Sequence, residues 1–204
     1  MTTFAKGVKA AALRVAVLTV LVGVAAVVWY FDAIPAMGEW FVDDTKYHDE
    51  IVAASRRHGL DPELVRALIF RESRFDPRAR GSRGEVGLMQ VLPGGAAADW
   101  ARVNKCPRPS VRELYGVERN LEIGCWYLAR ALRRWSGYKH GVALALAQYN
   151  AGESRAKAWA PGKRDGEVVP RIRIASTKKY VETILKRYRK YLAERSAEKG
   201  AQDK

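Results

Sequence analysis

The sequence is poor in side chains that hold metal ions. Its three histidines, His48, His58 and His140, are scattered and show no ligand spacing, and there are only two cysteines. Internal repeats, low-complexity tracts and long strand-like alternations are also missing, whereas helix-period stretches dominate. The pattern therefore excludes a repeat array, predicts an all-α chain with loops at 75–110 and 152–170, and indicates no metal and no cofactor.

Acidic residues are outnumbered, with 22 Asp and Glu against 36 Lys and Arg and a net charge of +14. The densest basic stretch is C-terminal, where lysines and arginines flank an apolar stripe that includes Tyr180, Ile184 and Tyr188. Two interpretations stay open for it. It is either the solvated face of a terminal helix or a surface that attracts an anionic partner.

The N-terminus carries an export signal. Lys6, Lys9 and Arg14 precede an apolar run over 15–31 that closes with aromatic residues, and acidic residues follow it. This order predicts an uncleaved transmembrane signal-anchor with a cytoplasmic N-terminus, and a cleaved signal peptide is the alternative. The predicted organisation is a tail (1–14), the anchor (15–31), a linker (32–44), one domain (45–192) and a polar tail (193–204).

Export affects both the expected state of the two cysteines and the expected partner of the positive charge. Two thiols in an exported domain pair more often than they stay free, so a Cys106–Cys125 disulfide is expected, with two independent buried thiols as the alternative. Export also removes the chain from nucleic acid, which is therefore not an expected partner of the basic surface.

Glu72 is the acid whose position suggests chemistry. Asp61, Pro62 and Glu63 supply an N-cap acceptor, a proline at the first helical position and an acid near the positive helix end. The apolar arc of this helix, with Leu64, Val65, Leu68 and Ile69, has Glu72 at its centre. Partial burial would raise its pKa and keep it protonated, as a general acid requires. The alternative is an acid at a fraying helix end that turns to solvent.

Four blocks of sequence carry a family resemblance. They are Arg71-Glu72-Ser73, Gly87-Leu88-Met89-Gln90, Asn120 to Leu128 with Gly124 and Tyr127, and Tyr149-Asn150-Ala151-Gly152; Tyr180-Val181 follows them. In this order the set resembles the catalytic domain of soluble-type lytic transglycosylases, over about residues 45 to 192. The resemblance implies a lysozyme-like helical domain with long loops that cleaves bacterial peptidoglycan.

The resemblance also implies a mechanism and roles for single residues. Glu72 would protonate the β-1,4 bond between N-acetylmuramic acid and N-acetylglucosamine and then act as a base, so that 1,6-anhydromuramoyl ends form. Ser73 would bind the reacting sugar, and Met89 and Gln90 would line the cleft. Tyr149 would reach Glu72 or the acetamido group, Asn150 would fix its loop, and Tyr180 would close the far wall.

The sequence departs from the family pattern at three places. Glu85-Val86 stands where the family usually has a small residue and one linker position, and Gln148 replaces a small residue; both are plausible surface variations. Ser176-Thr177 stands where Glu-Thr is expected. Asp76, Glu85 and Glu122 are the other acids in the motif blocks. They suit a turn, a polar loop and a helix start respectively, and none has the context of a second catalytic carboxylate.

The expected protein is thus a single-pass protein of the bacterial inner membrane with its catalytic domain in the periplasm. Its partners would be peptidoglycan glycan strands and the membrane. Small size and a tether are also compatible with service to a secretion or surface-appendage machine. Two other functions stay open: a lysozyme- or chitinase-type hydrolase, in which water replaces the C6 hydroxyl, and a non-catalytic wall-binding scaffold.

Overall fold

The computed structural model of the chain describes residues 18–24, 27 and 42–202. Over 42–202 the regular secondary structure is helical, with two isolated β-bridges, Arg80–Val86 and Val86–Val91. The all-α prediction is therefore confirmed for this part of the chain.

The helices from Asp44 onward belong to one compact unit. They are α1 (His48–His58), α2 (Pro62–Ser73), α3 (Ala96–Val103), α4 (Val111–Leu114), α5 (Val117–Arg134), α6 (Gly141–Ala151), α7 (Glu153–Trp159) and α8 (Ala175–Gln202), with a 3₁₀ turn at Val169–Arg171 before α8. Long loops lie at 74–95 and 160–174, close to the loop regions predicted from glycine and proline.

Helix α6 is the centre of the unit. Its residues from Ala143 to Gln148 are all buried, because the stretch 143–147 is apolar on every side of the helix. It packs against α5, α7 and α8, while α8 also packs on α2, and α1 packs on α5. Two helices that carry sequence motifs, α5 and α8, therefore meet at α6, and α8 connects α2 to them.

Helix α2 begins as the sequence predicts. The Asp61 side chain accepts a hydrogen bond from the Glu63 backbone N–H at 2.9 Å, and Pro62 is the first helical residue. The helix ends at Ser73, before Pro77, because Arg74 and Phe75 both adopt left-handed backbone conformations (φ 51° and 64°). This reversal places Glu72 in the last turn of α2.

Helix α8 continues past the predicted domain end at 192. The Arg195 guanidinium donates to both carboxylate oxygens of Asp61, at 3.0 and 3.2 Å, and the Tyr188 hydroxyl donates to the same carboxylate. These bonds connect the C-terminal part of α8 to the start of α2. The residues predicted as a polar tail are helical up to Gln202.

The predicted anchor over 15–31 lies partly outside the described residues. Residues 18–24 and 27 are helical. None of the helices in the described ranges is both long and apolar enough to cross a membrane. The flanking basic and aromatic residues Lys6, Lys9, Arg14, Trp29, Tyr30 and Phe31 also lie outside these ranges.

The predicted disulfide is wrong, since Cys106 and Cys125 are both free thiols. Cys125 is fully buried on α5, and its thiol faces Met89, with Sγ at 3.8 Å from Sδ. Cys106 lies in the loop after α3 and is partly exposed. Burial raises the pKa of the Cys125 thiol to about 12, which keeps it protonated and unreactive.

Thiol labelling under native and denaturing conditions tests this arrangement. Without reductant, the folded domain should react with one equivalent of a thiol reagent, at Cys106, and the unfolded chain with two. The Cys106→Ser variant should lose the native labelling and keep one thiol after unfolding. An unfolded, unreduced wild-type chain that takes up no reagent would show that the disulfide forms after all.

Candidate active site

The carboxyl group of Glu72 accepts a hydrogen bond from a residue that lies much later in the sequence. The hydroxyl of Tyr180, on α8, donates a hydrogen bond of 2.5 Å to Glu72 Oε1. Tyr180 is buried, and the Arg71 guanidinium lies over its ring at 5.4 Å. Packing of α8 on α2 therefore fixes the position of the Glu72 side chain.

The pKa of Glu72 is raised from 4.5 to about 7. Part of the side chain stays accessible, but the loss of water around the carboxyl group is the largest influence on this pKa. The hydrogen bond from Tyr180 and the charge of Arg71 act in the opposite direction, whereas the negative charge of Glu85 raises the pKa further. A substantial fraction of the molecules is thus protonated at neutral pH.

A buried amide holds the loop that follows α2. Asn120 accepts a hydrogen bond from the Met89 backbone N–H at 2.8 Å and donates to the carbonyls of Val86 and Leu114 at 2.8 and 2.7 Å. Gly87 lies against this amide with φ 76°, where a Cβ would collide with it. The position of Gln90 follows, because Asn120 fixes the turn before it.

A cleft of about 230 Å³ opens between the loop after α2 and the end of α6. Its lining includes Arg83, Glu85, Gln90, Tyr127, Tyr149 and Asn150. Glu72 is not among the lining residues, but its charge acts on the pKa of Tyr149, and that of Glu85 acts on Glu72. Glu72 and the lining of the cleft are thus close enough to influence each other electrostatically, and on this ground we assign Glu72 to this site.

The polar groups of the cleft are held by the protein. The Gln90 amide donates to the carbonyls of Gly87 and Ala79 at 2.9 and 3.2 Å. The Tyr149 hydroxyl donates to the Met89 carbonyl at 2.8 Å, and its ring packs edge-on against Tyr127. Both side chains are therefore oriented in the absence of any ligand.

A larger open cavity of about 930 Å³ lies elsewhere, between α1 and the start of α5. Glu122 at its wall is paired with Arg57 and His58. None of its lining residues belongs to the cleft beside Glu72. We place the candidate site at the smaller cleft, because only there does an acid with a raised pKa adjoin oriented polar groups.

The family of this chain follows from comparison with known proteins. The family model described as the transglycosylase SLT domain matches residues 49–168. The chain belongs to this family. The match contains Glu72, the turn at Gly87–Gln90 and the Tyr149-Asn150 pair of the cleft.

Relatives of the SLT domain include named lytic transglycosylases. The membrane-bound lytic murein transglycosylase E of Buchnera aphidicola is 27% identical over 124 residues, which are 58% of this chain and 56% of the relative. The membrane-bound lytic murein transglycosylase C of Haemophilus influenzae is 38% identical over 84 residues, which are 41% of this chain and 24% of the relative. The chain thus spans about half the length of one and a quarter of the other.

Solved structures show the same fold for the SLT domain. An inactive mutant of the lytic transglycosylase Slt from Pseudomonas aeruginosa superimposes with a TM-score of 0.68 at 26% identity, over 84% of this chain and 29% of that one. The 70 kDa soluble lytic transglycosylase of Escherichia coli gives a TM-score of 0.62 at 25% identity, over 72% and 25%. The lysozyme-like helical fold expected from the motifs is confirmed.

The SLT domain brings together most of the residues singled out in the sequence. Gln90, Tyr149 and Asn150 line the cleft, and Tyr180 contacts Glu72 from α8; its closing of the far wall stays a prediction. Ser73 is partly buried beside Glu72, with its hydroxyl bonded to the Ile69 carbonyl at 3.3 Å. Their contacts with substrate stay predictions.

Met89 lies in the core of the domain, and Glu85 lies in the cleft. Met89 has no accessible surface, because its side chain packs into the core against Gly124 and Cys125, so it does not line the cleft. Glu85 was expected on a variable surface loop, but its side chain is only 13% exposed and forms part of the cleft.

Sequence reasoning missed further residues of the site. The Thr177 hydroxyl donates to the Asn150 side chain at 2.8 Å and so links α8 to the end of α6. Tyr127 packs against Tyr149 in the cleft wall. Asn120 and Tyr127 belong to a motif that predicted a helix. The motif alone does not indicate that Asn120 binds the loop after α2 or that Tyr127 packs against Tyr149.

Replacement of Asn120 by alanine tests how the loop is held. Three buried backbone groups would lose their partners, so the free energy of unfolding should fall by on the order of 3 kcal/mol. Asn104→Ala is the control, since this exposed amide makes one bond to a carbonyl of its own helix end and should cost below about 1 kcal/mol. Urea denaturation measures both, and equal losses would contradict the role of Asn120.

Proposed function

We propose that this SLT domain is a peptidoglycan lytic transglycosylase that acts through Glu72. The observation that carries the proposal is a single sheltered carboxyl group with a pKa of about 7 beside a cleft of oriented polar groups. The names of the relatives, which are lytic murein transglycosylases, support it. Cleavage would fall on the β-1,4 bond between N-acetylmuramic acid and N-acetylglucosamine.

In the first step, protonated Glu72 donates its proton to the glycosidic oxygen as the bond breaks. The acetamido group of the muramoyl sugar stabilises the positive charge that develops at the anomeric carbon. A pKa near neutral suits this step, because the acid is still protonated at the working pH and yet releases its proton readily. The Tyr180 hydroxyl then stabilises the carboxylate that is left.

In the second step, the Glu72 carboxylate takes the proton of the C6 hydroxyl of the same sugar. The C6 oxygen bonds to the anomeric carbon and closes the 1,6-anhydro ring, and Glu72 is again protonated. No water enters the bond, and the nucleophile is already held on the substrate, which gives it the advantage of proximity.

The other polar groups of the cleft would hold the sugars. The Gln90 side-chain nitrogen donates to the two backbone carbonyls, which leaves the side-chain oxygen as an acceptor for the substrate. The Tyr149 hydroxyl donates its hydrogen bond to the Met89 carbonyl and can still accept a hydrogen bond. Both can therefore receive an N–H or O–H of the substrate, with Asn150 and Ser73 beside them.

We further propose that residues 15–31 anchor the domain in the bacterial inner membrane, with the active site in the periplasm. The charge order around this run supports it. Some relatives are named membrane-bound. Tethering would keep the domain close to the wall, where local cleavage can also serve a secretion or appendage machine.

The Glu72→Gln variant tests the proposed acid. Lytic activity on purified sacculi should fall at least a thousandfold, because glutamine cannot supply a proton. Mass spectrometry of the wild-type digest should show 1,6-anhydro ends; reducing ends in their place would indicate a hydrolase. Turnover retained by Glu72→Gln would refute the role of Glu72.

Stability provides the folding control for Glu72→Gln. The folded-state pKa of Glu72 is raised, so its contribution to stability is fully present below pH 4.5 and is lost as pH rises through about 7. The loss amounts to on the order of 3 kcal/mol. The glutamine variant lacks this titration and should be at least as stable as the wild type at pH 8.

The pH dependence of activity should follow Glu72. kcat/KM should fall on the alkaline side with a midpoint near pH 7, because only the protonated acid starts the reaction. Tyr180→Phe removes a bond that stabilises the carboxylate, so this limb should move to higher pH by about one unit. Tyr188→Phe is the matched control, since Tyr188 bonds Asp61 instead. If kcat/KM falls with the same alkaline midpoint in both variants, the assignment of this midpoint to Glu72 is contradicted.

A further inference from the structure

A second carboxylate, that of Glu85, lies in the same cleft as the polar groups that face the substrate. It lines the cleft together with Gln90 and Tyr149. Its Oε2 atom packs with the side-chain oxygen of Gln90 over Gly81, where any Cβ would collide with both oxygens. The backbone therefore leaves room at this point for a carboxylate next to Gln90.

The surroundings of Glu85 keep it ionised. Its oxygens accept hydrogen bonds from the Arg83 backbone N–H at 2.9 Å and from the Arg83 guanidinium at 2.7 Å. Burial opposes ionisation, but these bonds and the charge of Arg83 outweigh it and lower the pKa of Glu85. Arg83 itself is exposed, with 69% of its side chain accessible, so solvent weakens its neutralising effect.

Glu72 and Glu85 thus differ in charge although they share one site. The loss of water keeps a substantial fraction of Glu72 protonated at neutral pH, whereas hydrogen bonds hold Glu85 negative. Two carboxyl groups whose surroundings separate their protonation states in this way are suited to different tasks in the cleavage of a glycosidic bond. A negative charge fixed in the cleft favours a positive charge on the substrate.

We infer that Glu85 is a second catalytic residue, whose carboxylate lies against the reacting sugar and stabilises the positive charge that develops at the anomeric carbon. The inference rests on the proposed function. The Glu85 carboxylate adds to the stabilisation that the acetamido group provides, and it forms no covalent bond with the sugar. Glu85 has a second effect, since its charge favours the protonated form of Glu72.

A purely structural role for Glu85 predicts different behaviour. Its bonds to Arg83 close the turn of residues 81–85, which could be their only purpose. Glu85→Gln separates the two roles, because the amide oxygen still accepts a bond from the Arg83 backbone but carries no charge. A structural role would appear as lost stability, and a catalytic role as lost turnover at unchanged stability.

The test compares Glu85→Gln with Glu85→Asp and with Glu182→Gln, which removes an exposed acid on α8. Uncrosslinked glycan strands from sacculi serve as the substrate. We expect Glu85→Gln to keep its Tm and to change KM less than twofold, while kcat falls about 10- to 100-fold. The alkaline limb should move to lower pH, because Glu72 ionises more easily without the neighbouring charge. Aspartate should restore part of kcat, and Glu182→Gln should resemble the wild type.

Unchanged kcat and an unchanged alkaline limb in Glu85→Gln would overturn the inference. So would a loss of kcat that runs parallel to a loss of Tm and that aspartate does not repair. The product assay on the wild type separates this outcome from failure of the proposed function. If the wild type releases reducing ends, the proposed function fails, but the Glu85 comparison stays decisive because hydrolysis also develops positive charge at the anomeric carbon.

Discussion

The bond between the Tyr180 hydroxyl and the Glu72 carboxyl group is the contact on which the site depends. It joins residues 108 positions apart and exists only when α8 lies on α2. Removal of water raises the pKa of Glu72, and this bond limits the rise to about 7. A more isolated acid would hold its proton too tightly, and a better solvated one would lose it too early.

The parts of this arrangement that local rules govern could be read from the sequence. Asp61, Pro62 and the apolar arc of α2 set the start and the buried face of one helix, and Glu72 follows from counting along that helix. An amide in an apolar run such as that around Gln90 is costly without partners, and Gln90 has two. Such inferences succeed because they use the nearest few residues.

Residues whose surroundings come from distant elements were not predictable in the same way. Gln148 was assigned to variable surface, yet it is buried and accepts a hydrogen bond of 2.8 Å from the Trp135 indole. Cys125 was paired with Cys106 on the basis of composition, but its side chain faces Met89. The helical period gives the direction of a side chain and not the identity of the group it meets.

Glu85 shows how this limit affects the mechanism. In the sequence it was one acid in a polar loop, without a context that argued for catalysis. Folding places it beside Gln90 and pairs it with Arg83, so its charge is retained where that of Glu72 is suppressed. A substrate in the cleft would displace water from both groups, which strengthens the effect of Glu85 on Glu72 and on any cation in the sugar ring. The two carboxyl groups therefore become more unlike at the moment when the glycosidic bond is to be broken.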